Sequence, residues 1–227
     1  MFRASMIGAG VLVASAACAH RPLFPDVPPT SPASAAVVKR PDVSQVIYHE
    51  VGEGRTQLWL TFEGQQGQEV FLQIGVPVLD RLKDYRPTMA LVGPGLPTGE
   101  APFDLPAGCG LEAFPTKEIA EPRYFEEHFT GTDSWILHDA TVKLPESGVY
   151  YAVAYSPDGK PGKLWLAIGQ KEEFGLTDLG RMREWTRKVR AFHEVHGAWP
   201  RLQKIAAGGL AGITAGVAWL IVRLLTH

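Results

Sequence analysis

His193 and His196, in Phe-His-Glu-Val-His, come nearest to a metal site by residue type and spacing. At i and i+3 they share a helix face and could both reach one ion. Zinc-binding helices place His at i and i+4 or add distant ligands, and neither feature accompanies this pair. The alternative is two histidines at a membrane interface. Asp80, Asp84, Asp133 and Asp139 are scattered and lack the alternating spacing of a calcium loop. His128 and His138 would meet only if the fold brought them together. There is no Gly-x-Ser-x-Gly elbow, no His-Glu-x-x-His and no phosphate-cradling glycine loop. Gly93-Pro94-Gly95 fails as a cradle because proline removes the donor a phosphate needs. No catalytic residue, cofactor or metal is therefore expected. A metal-handling or hydrolytic site gathered from separate strands leaves no local signature and stays as an alternative.

The two cysteines make no disulfide framework. Cys109, in Pro-Ala-Gly-Cys-Gly, reads as a free, partly buried loop thiol. Cys18 closes Ser-Ala-Ala-Cys, which resembles a bacterial lipobox with Ser15 where a branched apolar residue is preferred. Lipidation of Cys18 and ordinary cleavage at a small-x-small site are both open.

Alternation of period two carries the fold. Val149–Tyr155 and Lys163–Ile168 flank a Pro/Asp/Gly turn, and Gln57–Glu63 and Glu69–Gly75 flank Gly-Gln-Gln-Gly-Gln, so each pair reads as a β-hairpin. Pro87–Val92 and Trp135–Leu144 add strands, and Gly93–Pro122, rich in Gly and Pro, reads as a long surface excursion. Short strands without alternating helices predict an all-β, antiparallel, jelly-roll-like sandwich over residues 42–175. Leu58, Leu60 and Phe62 share a face, as do Val70, Leu72 and Ile74, and Leu164, Leu166 and Ile168. Trp59, Phe71 and Trp165 fall on the opposite faces. Three exposed aromatics would make a platform for a glycan, peptide or protein. The competing reading is that the Pro-rich excursion or the helix that follows folds over them.

The flanks point to a membrane. Met1–Ala17 has the Arg3 n-region, Met6–Ala14 h-region and small-residue exit of an export signal, so residues 1–18 form a leader. Residues 19–41, with their prolines, read as an extended linker holding a domain off a membrane. After Gly175 apolar residues recur every three to four positions, predicting an amphipathic helix within 176–200. Thr177–Lys204 carries a net charge of +4, against −6 for the remainder and −2 overall. The net charge of −2 argues against a nucleic-acid binder, and an acidic body with a basic stalk suits anionic headgroups, a merely solvated helix face being the alternative. Residues 205–225 hold the apolar run Ile205–Val222, about 27 Å long as a helix, enough to span a bilayer core, with a buried core helix as the alternative. Gly208, Gly212 and Gly216 form a small-residue stripe that predicts packing against another membrane helix, from a second copy or a partner subunit. Charge alone would leave the basic flank in the cytoplasm. The leader commits the body to the outside, and long domains cross regardless of charge.

Leu58–Phe62, Gly67–Ile74, Pro87–Gly93 and Leu144–Tyr155, the last including Leu-Pro-Glu-Ser-Gly-Val-Tyr-Tyr, resemble the bacterial pre-peptidase C-terminal type of β-sandwich. That resemblance implies a non-catalytic extracytoplasmic module with no catalytic residues to carry over. The chain departs from the pattern in its Gly93–Pro122 insertion and its own hydrophobic segment. The function expected is a binding or interaction module outside the cytoplasmic membrane, with a carbohydrate- or cell-wall-binding module as the alternative.

Overall fold

The computed structural model describes residues 20–173, 178 and 180–196. Apolar residues on both sides of most strands produce two stacked sheets with cover outside each. One sheet runs β1 (Arg21–Leu23), β3 (Gln45–Val51), β11 (Gly162–Ile168), β5 (Glu69–Pro77), β9 (Thr132–Lys143) and β8 (Arg123–Glu127). The other runs β2 (Ala36–Val37), β4 (Gln57–Gly64), β10 (Gly148–Tyr155), β6 (Thr88–Gly93) and β7 (Gly110–Phe114). Pairing is antiparallel except at two edges, where β1 joins β3 and β2 joins β4 in parallel. The central core is built from the faces the alternation assigns to it: Leu58, Leu60 and Phe62 meet Val70, Leu72, Ile74, Leu164 and Leu166, all buried.

The two expected hairpins are not hairpins. β4 and β5 lie in different sheets, as do β10 and β11, so each connection crosses from one layer to the other. β4 pairs with β10 (Leu60 opposite Ala152), and β5 pairs with β11 (Leu166 opposite Ile74) and with β9. Period-two alternation marks which residues face the core, and it is the same whether two strands lie side by side or face each other across it. The β4–β5 turn is tied to the β9–β10 turn: the Gly67 amide donates to the Leu144 carbonyl and the Leu144 amide to the Gln68 carbonyl, each at 2.8 Å. Gly67, at φ +80°, supplies the left-handed step. Tyr150 closes the same end, its Oη 2.9 Å from the Pro94 carbonyl and 2.8 Å from that of Glu146.

The Pro-rich stretch is part of the sandwich rather than a free linker. It supplies β1 and β2, its Val38 is buried, and the Pro29 carbonyl accepts from the Trp59 amide at 2.7 Å. Proline lacks a donor, yet its carbonyl still caps an edge. The excursion after β6 likewise returns as β7, which pairs with β6. Cys109 is free and partly buried, as expected.

The helix α1 (Met182–Phe192) is shorter than the amphipathic pattern, ending at His193 with Glu194 in the left-handed region at φ 57°. Eleven residues are too few to hold a helix alone, so α1 depends on packing. Trp185 and Val189 are buried while Arg183 and Arg187 face solvent. A clamp holds its end: Arg81 grips Glu194 with both guanidinium nitrogens, and Lys163 reaches Glu194 and the Phe192 carbonyl, each at 2.9 Å. Among the described residues no helix is long and apolar enough to cross a membrane. Cys18, the leader and Ile205–Val222 with Gly208, Gly212 and Gly216 lie outside the described residues.

Candidate functional site

Trp59, Phe71 and Trp165 do not form one platform. Trp59 belongs to the five-stranded sheet and the other two to the six-stranded sheet. Trp59 is fully buried, its ring edge-on to Phe103 at 5.0 Å and to Tyr151 at 5.7 Å, with Leu105 of the excursion packed alongside. Its indole N–H donates to Gln57 Oε1 at 2.8 Å. The excursion folds over Trp59 because a large apolar face left in water costs more than ordering a loop that carries Phe103 and Leu105. Trp165 is buried, its ring 6.3 Å from that of His20, and it lines one space with Pro22 and with Met182, Trp185 and Val189 of α1. Phe71 stays half-buried on the same outer face, beside Gln73. An open aromatic surface for a sugar ring is therefore absent at these three residues.

Covering Trp165 encloses a cavity of about 140 Å³ between the six-stranded sheet, α1 and the β1 segment. Its floor is Val46 and Tyr48 from β3 with Trp165 from β11; Phe125 and Glu127 of β8 and Phe129 of the β8–β9 turn form one wall. Met182, Trp185 and Val189 form the roof, and His20 and His193 stand at the sides. Gly75 makes room for the floor, since a Cβ there would overlap the Trp165 ring and stand 2.7 Å from the Trp135 carbonyl. β5 shifts register at that point.

The polar groups around the cavity are ordered in a chain. The Trp165 indole N–H donates to Ser134 Oγ at 3.1 Å, and the Ser134 hydroxyl donates to His193 Nε2 at 3.1 Å. His193 Nδ1–H donates to the Val189 carbonyl at 2.9 Å, which fixes a neutral ring with its proton on Nδ1. Burial pushes the His193 pKa down to about 4, outweighing the bond to Val189. His20, 2.5 Å from Ser44 Oγ, is pushed down to about 4 by burial as well. Burial raises the Tyr48 phenol and the Glu127 carboxyl above their usual ranges, and Glu127 Oε1 accepts from the Phe129 amide at 2.9 Å.

This geometry decides the histidine question. Both ring nitrogens of His193 are engaged inside the fold while His196 is exposed, so the two do not share an ion. His138 stacks on Phe114 and His128 approaches Glu126, so they do not meet either. Among the described residues no three His, Cys, Asp or Glu side chains gather as a metal site. Ser134 and His193 resemble a nucleophile–base pair, but His193 Nδ1 is oriented by a backbone carbonyl and the serine oxygen already accepts from Trp165. That arrangement latches helix to sheet. Sequence reasoning missed His20, Tyr48, Glu127 and Ser134. The alternation of Val46 and Tyr48 along β3 was the available signal, since it gives that strand a second apolar face.

The class defined by these features is a two-sheet β-sandwich with a covered outer-face cavity. No family model matches the chain, and no curated protein is similar to it. Similar solved structures include the pre-peptidase C-terminal domain of collagenase from Bacillus anthracis, at 10% identity and TM-score 0.29 over 59% of this chain and 93% of that one. The surface-associated copper-binding protein CorA of Methylomicrobium album BG8 is similar at 9% identity and TM-score 0.31, over 60% of this chain and 98% of that one. The secreted protein MopE of Methylococcus capsulatus follows at 13% identity and TM-score 0.24, over 51% and 70%. A pre-peptidase C-terminal domain, the type that the sequence resembles, is among these similar structures. No ligand passes from those proteins to this chain.

Proposed function

We propose that this protein is a membrane-held, extracytoplasmic, non-catalytic binding module whose ligand site is the cavity under α1. The cavity itself carries the reading: it is apolar, of a size that accepts a benzene-like guest, and ringed by a few fixed polar groups, the pattern of small-molecule sites. Its walls come from segments adjoining both proposed anchors. β1 lies just after the leader and α1 before the hydrophobic run, and Arg21 of β1 pairs at 3.0 Å with Asp178, four residues ahead of α1. The described residues nearest both proposed anchors thus line one cavity, and in this proposal that cavity faces the membrane. Association through Gly208, Gly212 and Gly216 with a second copy or a partner subunit belongs to the same proposal, as does lipidation at Cys18.

The test uses the full-length chain in a maltoside detergent and a panel of benzene-sized molecules. Ligands that raise the melting temperature are expected to lose that effect in Val46→Phe, which fills the floor, and to be recovered chemically unchanged. Stabilisation that survives Val46→Phe, or conversion of a ligand, contradicts the reading. A reporter enzyme fused after His227 is expected to be active only in the cytoplasm, and activity only outside reverses the topology.

A further inference from the structure

We infer that the cavity is built for a methylated organic cation, a quaternary or tertiary ammonium group. This rests on the cavity being a ligand site and adds the chemistry of the ligand. Tyr48, Phe125, Phe129, Trp165 and Trp185 line one space of about 140 Å³. Aromatic faces attract cations through the ring quadrupole, and boxes of them select methylated ammonium groups, which present charge without hydrogen-bond donors. A trimethylammonium head is close in size to the benzene-like guests that such volumes hold.

Glu127 supplies the second observation, because among the described residues it is the one carboxyl group in the lining. Its Oε1 is held by the Phe129 amide, and desolvation penalises its charged form. Among the described residues no lysine or arginine lines the space, and its two histidines are kept neutral by burial. An acid placed in an apolar wall, with only the exposed His128 as a nearby basic group, is stabilised by a guest that brings a cation into the cavity. A neutral aromatic guest would gain nothing from Glu127, and an anion would be repelled by it. Cations already seek these rings from outside: Arg21 and Arg181 each stand 5.8 Å from the Trp185 ring centroid. The polar lining does not compete, since Ser134 and His193 are occupied with each other.

The probes are choline and its neutral isostere 3,3-dimethylbutan-1-ol, identical in outline and lacking the charge. Titration of the full-length chain in maltoside, read by tryptophan fluorescence and by the Trp165 indole N–H resonance, is expected to saturate with choline. The isostere is expected to bind roughly tenfold or more weakly, the scale of a desolvated cation–ring interaction. Glu127→Gln is expected to weaken choline by roughly tenfold and to leave the isostere unchanged. Two arms separate the sources of the cation. In phosphatidylcholine nanodiscs a lipid headgroup would compete and weaken added choline, whereas with a free ligand phosphatidylcholine and phosphatidylglycerol nanodiscs give one affinity. Equal binding of choline and isostere, or no binding of choline, overturns the cation assignment. The isostere comparison needs no variant, so it stands even if Glu127→Gln fails to fold. If neutral guests bind and choline does not, the binding-module reading survives and the ligand class fails.

Discussion

Trp59→Ala is expected to lower stability by about 3–5 kcal/mol, the cost of removing a large aromatic from a packed interior. Trp59 is fully buried between β4 and the excursion that carries Phe103 and Leu105. The substitution deletes the ring on which Phe103 stands edge-on and leaves Gln57 Oε1 without its indole donor. An exposed platform residue would change stability by less than about 0.5 kcal/mol, so the two readings of Trp59 differ severalfold in a denaturation midpoint. A midpoint unchanged by Trp59→Ala would restore the platform. The excursion is expected to become protease-sensitive in the variant, because Trp59 is the floor it rests on.

Acid is expected to open the cover before it unfolds the core. His20 and His193 are neutral in the folded chain, with pKa values pushed down to about 4 by burial against an ordinary 6.5. Above pH 6.5 both states are neutral and nothing is lost. As pH falls from 6.5 to 4 the unfolded chain gains protons that the folded chain refuses. Each histidine then removes about 1.4 kcal/mol per pH unit, of the order of 3 kcal/mol across the window. Lys163 opposes a charge on His193, while Asp133 favours it more weakly. His49, lowered by burial and bonded to the Arg55 carbonyl, acts in the same direction. Glu127 acts in the opposite sense, since its raised pKa lets the folded chain take up a proton first. Glu194, held down to about 2 by Arg81 and Lys163, gives up its contribution only between about 4.5 and 2. Protonated His193 can no longer accept from Ser134, so the latch is lost early and α1 loosens. Hydrogen exchange in α1 is expected to accelerate between pH 6.5 and 4 ahead of that in β5 and β10. In His193→Gln the stability slope is expected to fall by about one proton. A profile flat over that window contradicts the neutral-histidine latch.

Much of the sandwich is legible in the chain, and the residues show why the rest is not. Leu58, Leu60, Phe62, Val70, Leu72 and Ile74 declare the inner face through a period that only a strand has. Whether β4 and β5 pair or stack depends on which third strand each meets, and alternation does not encode that. The cover is hidden for a different reason. Prolines between residues 22 and 41 signal extended chain correctly, yet extended chain packs on a sheet edge as readily as it runs free. β1 needs only Arg21, Pro22 and Leu23 to join β3. The site is least legible of all, since Ser134 and His193 stand 59 residues apart and the nearer partner in sequence, His196, is not the one used. What the chain does show is surplus: Trp59, Tyr48 and Trp165 on faces that one core does not need, which the excursion, β1 and α1 then cover.

The most direct test is a crystal structure of residues 20–196 within the full-length chain under xenon pressure. Xenon enters dry apolar cavities of this size without regard to charge. One xenon atom is expected between Tyr48, Trp165 and Val189, with α1 seated on β3 and His193 on Ser134. A cavity that takes up no xenon, or an outer face of β3 and β11 open to solvent with α1 elsewhere, would contradict the ligand site on which the functional reading stands.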